Sequence, residues 1–216
     1  MKTLCLFDLD GTLTDSKIGI INSAEYALKA VGIKRSQYTG TLDSLIGPPL
    51  RDAFRLIHPF SDAEIEEVVR KYREYFSTKG LLENEVYPGI MEMLARLKSE
   101  GINMAIATSK AMAYAQRIAE HFGFAQYFDV IMGSEMDGSR SRKSELIQAV
   151  LDELGTDGAQ KIIMIGDREH DIIGAKETGI ACIGVTWGYG TRQELETAGA
   201  DSIVDSTDEL YRMILK

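Results

Sequence analysis

The sequence predicts an α/β protein: a doubly wound parallel sheet, Rossmann-like in class, with an all-helical subdomain inserted after the first strand. Three observations predict it. From Met104 onward, short apolar runs alternate with helical stretches across glycine or polar breaks, the pattern of βαβ units with right-handed crossovers. An equally apolar run, Leu4-Cys5-Leu6-Phe7, stands near the start and leads into Asp8-Leu9-Asp10-Gly11-Thr12. Between these regions, residues 16–85 carry almost no strand signal and several helical ones.

Each element has a local reason. The Leu4–Phe7 run is continuously apolar, as strands covered on both faces are. Ile20, Ile21, Ala24, Ala27 and Leu28 make a helical face that ends at Gly32. Gly47-Pro48-Pro49 is a turn, because proline is excluded from a helix interior. Ser61-Asp62-Ala63-Glu64 is a capping box, and Ile65, Val68, Val69, Tyr72 and Phe76 then recur with helical period. Pro88-Gly89 returns the chain to the alternating region. There, strands are expected at Met104–Ala107, Val130–Met132, Ile162–Ile165, Ala181–Val185 and Ser202–Val204. Helices are expected through about His121, from about Lys143 to Leu154, and up to about Gly179. Residues 1–15 and 86–216 are thereby assigned to the α/β core, and residues 16–85 to the helical insertion.

The composition bounds the class. The 216 residues, 44% hydrophobic and 26% charged, suit a soluble globular protein with a core domain and a smaller insert. A net charge of -9 argues against a nucleic-acid-binding surface but leaves room for phosphorylated small molecules where positive charge is local. Cys5 and Cys182 lie in strand-like runs and read as buried apolar residues. His58, His121 and His170 lack metal-ligand spacing. With no apolar stretch near the length of a membrane span and no signal pattern before the first strand, the expectation is a cytoplasmic protein with neither membrane nor nucleic-acid partner. Oligomeric state, monomer or homodimer, is left open.

In a doubly wound sheet the loops leaving the carboxyl ends of the strands converge, and ligands bind there. The polar residues at those ends are Asp8, Asp10 and Thr12; Thr108, Ser109 and Lys110; Arg140, Arg142 and Lys143; and Gly166-Asp167-Arg168-Glu169-His170-Asp171. Together they supply carboxylates for a divalent metal, donors for phosphate oxygens, and cations. Phosphoryl transfer uses such a set, because its catalysis is mostly positioning and charge stabilisation.

Asp8-Leu9-Asp10-Gly11-Thr12 resembles the DxDGT motif of the haloacid dehalogenase superfamily. Thr108 after an apolar strand is similar to its second motif, Lys143 opening a helix to its third, and Gly166-Asp167…Asp171 to its fourth. The four occur in family order, and the insertion resembles the C1 cap of the phosphoglycolate-phosphatase-like branch. The resemblance implies a phosphatase in which Asp8 is the nucleophile that forms an aspartyl-phosphate, and Asp10 is the acid and base. It implies magnesium held by Asp8, the Asp10 backbone carbonyl and Asp167, with Asp171 in or near the coordination sphere. Thr108, with amides near Leu9, Asp10 and Ser109, would bind the phosphoryl oxygens, and Lys143 would neutralise charge. Arg51, after the Pro-Pro turn, is a candidate for reading the leaving group. The Trp187-Gly188-Tyr189-Gly190 segment is either a close-approach loop or core packing. Two departures stand out: Ser144 follows Lys143 where the family often has proline, and Arg168 follows Asp167 where a small residue is common.

The resemblance thus implies a magnesium-dependent phosphomonoesterase for a small phosphorylated metabolite, phosphoglycolate- or nucleoside-monophosphate-like. A sugar phosphomutase of the same fold is the alternative, although the segment after Asp15 lacks the His-containing pattern of such mutases. A non-catalytic metabolite-binding module is the third reading.

Overall fold

The computed structural model describes residues 2–155 and 159–216. The strands are β1 (Lys2–Phe7), β2 (Thr14–Asp15), β3 (Glu85–Val86), β4 (Asn103–Ala111), β5 (Val130–Ser134), β6 (Ala159–Gly166), β7 (Ala181–Val185) and β8 (Ser202–Val204). The α-helices are α1 (Lys17–Ala30), α2 (Leu50–Ile57), α3 (Asp62–Tyr75), α4 (Ile90–Ser99), α5 (Met112–His121), α6 (Lys143–Leu154), α7 (Glu169–Glu177), α8 (Arg192–Ala198) and α9 (Thr207–Ile214). The chain divides into two units, residues 1–14 with 86–216, and residues 15–85.

In the larger unit six strands form one sheet in the order β5-β4-β1-β6-β7-β8. Every pairing is parallel. This is the doubly wound α/β architecture expected from the alternating pattern. β1 is central: Leu6 is in register with Ala105 on one side and Met164 on the other. Leu4 and Leu6 join Ala105, Ala107 and Met164 in a core layer covered by Leu146, Ile147 and Val150 of α6 and Ile172 of α7. The alternate residues of β1, Cys5 and Phe7, are fully buried too. Burial on both faces is why this strand reads as an unbroken apolar run, each large side chain contributing about 1.5–3 kcal/mol. Strand order reverses about β1, so the crevice that such sheets offer to ligands opens at the carboxyl ends of β1 and β6.

One strand runs past its expected end. The apolar run predicts a strand stopping at Ala107, but β4 continues to Ala111. After Thr108 the register with β5 shifts, and Ala111 resumes pairing at Ser134. The intervening Ser109 and Lys110 form an irregularity of the bulge kind, which re-aims side chains at a sheet edge.

The smaller unit is helical. α1 packs against α3. Ser61 caps α3 reciprocally with Glu64, as the sequence predicts, the Ser61 N–H donating to Glu64 Oε2 at 2.8 Å. Phe54 meets Tyr72 edge-on at 5.8 Å, and Tyr72 stacks on Phe76 at 5.4 Å. Among the described residues, no helix is long and apolar enough to cross a membrane.

Candidate active site

The site begins where β1 ends. The Leu9 carbonyl accepts N–H bonds from Leu13 at 2.9 Å and Thr14 at 3.0 Å, which closes a tight turn after Asp8. Gly11 sits at φ 85°, in the left-handed region, and a Cβ there would collide with the Asp167 carboxylate. Glycine is therefore required twice over, for the backbone and for the approach. Thr12 Oγ1 donates to Asp167 Oδ1 at 3.3 Å, linking the end of β1 to the end of β6.

Asp167 is fully buried and is held from a second side. The Tyr189 N–H donates to its Oδ2 at 2.7 Å, and Trp187 Nε1 donates to the Thr12 carbonyl at 3.0 Å. A Cβ on Gly188 would run into the Gly11 carbonyl and the Asp167 side chain. The Trp187–Gly190 segment is thus a close-approach loop laid over the two strand ends. Asp171 lies one helical turn on and accepts the Arg168 N–H at 3.1 Å, capping α7. Gly166 leaves room for it, since a Cβ there would overlap the Asp171 carboxyl. The Arg168 guanidinium turns to Glu194, with Nε donating at 2.7 Å.

Lys143 opens α6 and reaches inward until 4% of its side chain is exposed. Its Nζ lies 2.8 Å from both Asp8 Oδ1 and Asp171 Oδ1. Both are buried ion pairs, and the same Nζ donates to the Ala107 carbonyl at 3.0 Å. Burial alone would pull the Lys143 ammonium down, but Asp171 and then Asp8 outweigh it and hold its pKa above the ordinary lysine range. Burial, then the charges of Asp171 and Asp8, pushes Asp167 up to about 8 against the Tyr189 N–H and Arg168. Asp171 is also raised, mainly by burial, with Lys143 opposing.

One oxygen from each of Asp8, Asp167 and Asp171 lies within 4.8 Å of the others, all three residues being buried. Three carboxylates against one lysine leave negative charge that a divalent cation would balance. The donors are all hard oxygens, which suits a cation of the magnesium or calcium type.

Thr108 is buried, and its Oγ1 accepts the Lys110 N–H at 3.3 Å. Ser109 Oγ donates to the Ser141 carbonyl at 3.0 Å, and the Ser109 carbonyl accepts from Ser134 Oγ at 2.9 Å. Lys110 Nζ stands 2.7 Å from Asp10 Oδ2.

A family model for haloacid dehalogenase-like hydrolases matches residues 5–185, from inside β1 to the end of β7. The chain belongs to that family. It is 46% identical over 190 residues to a 5'-nucleotidase of Pseudomonas aeruginosa, which covers 88% of this chain and 85% of that protein. It is 40% identical over 188 residues to the tyrosine-protein kinase PtkA of Mycobacterium tuberculosis, covering 87% of this chain but only 63% of the kinase. The crystal structure of a predicted phosphatase from Clostridium acetobutylicum matches with a TM-score of 0.91 at 42% identity, over 100% of this chain and 99% of that one. This haloacid dehalogenase-like hydrolase is a phosphatase.

Asp8, Asp10, Thr108, Ser109, Lys143, Asp167 and Asp171 all belong to the larger unit of this hydrolase. Arg51 belongs to the helical unit, where its Nε and a terminal N–H group donate to the two Glu66 carboxylate oxygens at 2.7 and 2.9 Å. Two contacts go beyond the sequence reading, which placed both segments but gave neither residue a partner. The ordering of Asp167 by the Tyr189 N–H is a main-chain contact, which only the run of glycines around it could have signalled. Lys110, two residues past Thr108, had as its signal a lysine at the end of a buried strand.

Proposed function

We propose that the chain is a magnesium-dependent phosphomonoesterase acting on a small phosphorylated metabolite, phosphoglycolate- or nucleoside-monophosphate-like, through an aspartyl-phosphate on Asp8. The observation that carries this reading is the gathering of the Asp8, Asp167 and Asp171 carboxylates, with Lys143 against Asp8 and Asp171 and Asp10 alongside at the same strand end. Asp8, the Asp10 carbonyl and Asp167 would hold the magnesium, with Asp171 beside them. The ion would polarise the phosphoryl group and offset charge between it and Asp8.

In the first step an Asp8 oxygen attacks phosphorus, the ester P–O bond breaks, and the leaving alkoxide takes a proton from the Asp10 carboxyl. In the second, water attacks the aspartyl-phosphate and gives its proton to Asp10; inorganic phosphate leaves and the Asp8 carboxylate is restored. One group serving as acid and then base is the economy of two-step covalent catalysis. Thr108, with the amides near Leu9, Asp10 and Ser109, binds the phosphoryl oxygens, and Lys143 keeps charge balanced as it moves from Asp8 to phosphate.

Residues 1–15 and 86–216 are read as the catalytic core and residues 16–85 as a cap that selects the substrate. Arg51 is the candidate in that unit for reading the leaving group.

The test combines a rate panel with trapping. With magnesium, wild type should turn over members of a set of phosphoglycolate, nucleoside monophosphates and sugar phosphates, and acid-quenched samples should carry phosphate on the peptide containing Asp8. Asp8→Asn should lose both turnover and label. Full activity in Asp8→Asn, or a label on another residue, would refute the covalent route.

A further inference from the structure

Lys110 occupies a costly position. Its side chain is 7% exposed, its Nζ lies 2.7 Å from Asp10 Oδ2, and the Asp10 side chain is 15% exposed. Removing an ammonium and a carboxylate from water is costly for both ions, so a buried pair of this kind is poor evidence for stability alone. What the pair does supply is direction. Asp10 Oδ2 is taken by Lys110, whereas Oδ1 is buried and has no hydrogen-bond partner among the described residues.

The backbone is shaped to deliver this lysine. Register between β4 and β5 slips between Thr108 and Ala111, so Lys110 falls within the irregular stretch. The Lys110 N–H donates to Thr108 Oγ1, and the Ser109 carbonyl is anchored by Ser134 Oγ. Gly133 on β5 has no side chain where a Cβ would press on the Lys110 carbonyl. In this region β4 neighbours β1, and the bulge swings the lysine onto the acid that follows that strand.

We propose that Lys110 is a positioning residue for Asp10: by tethering Oδ2 it fixes the orientation of the carboxyl that passes the proton to the leaving group and takes it from water. The inference rests on the reading of Asp10 as the acid and base. Lys110 moves no proton and touches no substrate atom.

The dependence on leaving group tests it. An alkyl phosphate needs its leaving oxygen protonated, whereas 2,4-dinitrophenyl phosphate departs without help. General acid catalysis supplies roughly 10²–10⁴-fold; read as the single-turnover rate of leaving-group release, which excludes the later water step, Asp10→Asn should lower the rate on the best alkyl substrate by about that factor and change the dinitrophenyl ester far less. Lys110→Met should show the same selective loss, about 10–100-fold, with KM unchanged within roughly twofold. Adding Lys110→Met to Asp10→Asn should cost nothing more, because groups acting as a unit are not additive. Should Lys110→Met lose its cooperative melting transition, Lys110→Gln carries the same measurements.

Equal loss on both esters in the Lys110 variants, a change in KM alone, or a further loss in the Asp10→Asn background would overturn the inference while leaving Asp10 as the acid. Equal loss on both esters in Asp10→Asn itself would overturn the reading of Asp10, and the inference with it.

Discussion

Lys143 Nζ lies 2.8 Å from Asp8 Oδ1, and 4% of the lysine side chain and 10% of the aspartate's are exposed. The same ammonium meets Asp171 at 2.8 Å. Cutting one partner from a buried ion pair costs about 3–5 kcal/mol, because a charge is left unpaired. Lys143→Met should therefore lower the unfolding free energy of the metal-free protein, read from a urea titration, by an amount in that range, and move the midpoint down with it. Magnesium should recover part of the loss, since a cation can take up charge the lysine no longer balances. Turnover should fall by about 10²–10³-fold, the scale of losing one electrostatic stabiliser. An unchanged midpoint would show that the pair contributes nothing to the fold.

The carboxyl of Asp167 is pushed up to about 8 by burial and by Asp171 and Asp8, from an ordinary value of 3.8. It binds its proton more tightly folded than unfolded, so its contribution to the metal-free fold falls as pH rises through that interval. Below the ordinary value both states are protonated and there is no penalty; above about 8 the penalty is complete. Asp167→Asn should flatten this part of the stability-pH curve and stabilise the metal-free protein at the alkaline end. Denaturant titrations at a series of pH values read it directly, and parallel curves for variant and parent would contradict it.

Gly188 lies against the Gly11 carbonyl and the Asp167 side chain. A methyl group cannot be seated there without moving backbone, and such overpacking costs about 1–3 kcal/mol. Gly188→Ala should lower the melting temperature and weaken magnesium binding by calorimetry, because Tyr189 would no longer hold Asp167. Parental affinity with a lowered melting temperature would confine the loop to stability.

Burial pushes the Cys5 thiol up to about 12, and burial also raises Cys182. The thiolate is the reactive form, so neither should react with iodoacetamide near pH 8 in the folded protein. Mass spectrometry should find both modified after denaturation. Rapid labelling of Cys5 under native conditions would mean that β1 opens readily.

Much of the core was legible because its cause is local. The apolar runs at Leu4–Phe7 and Ile162–Ile165 are strands because both of their faces are covered, and the acids that follow them mark the end where a doubly wound sheet binds ligands. Lys143 at a helix start and Ser61 with Glu64 were readable for the same reason. The length of β4 was not. Ser109 and Lys110 are polar, and their place in the strand depends on partners in β5 and the segment after it, far along the chain. Nor was Arg51's bidentate partner legible, since Glu66 lies on another helix.

Residue order alone settled which groups could meet: two acids after β1, a threonine after the next core strand, a lysine opening a helix, and two acids after β6. It could do so because strand polarity in a parallel sheet sends all those ends to one edge. The pairings at that edge were decided by the assembled fold. Lys143 faces Asp8 and Asp171 while Lys110 faces Asp10, and the Trp187–Gly190 loop closes on Asp167. Those choices turn on distances of a few ångströms, set by strand register, the slip after Thr108 and the space left by Gly11, Gly166 and Gly188.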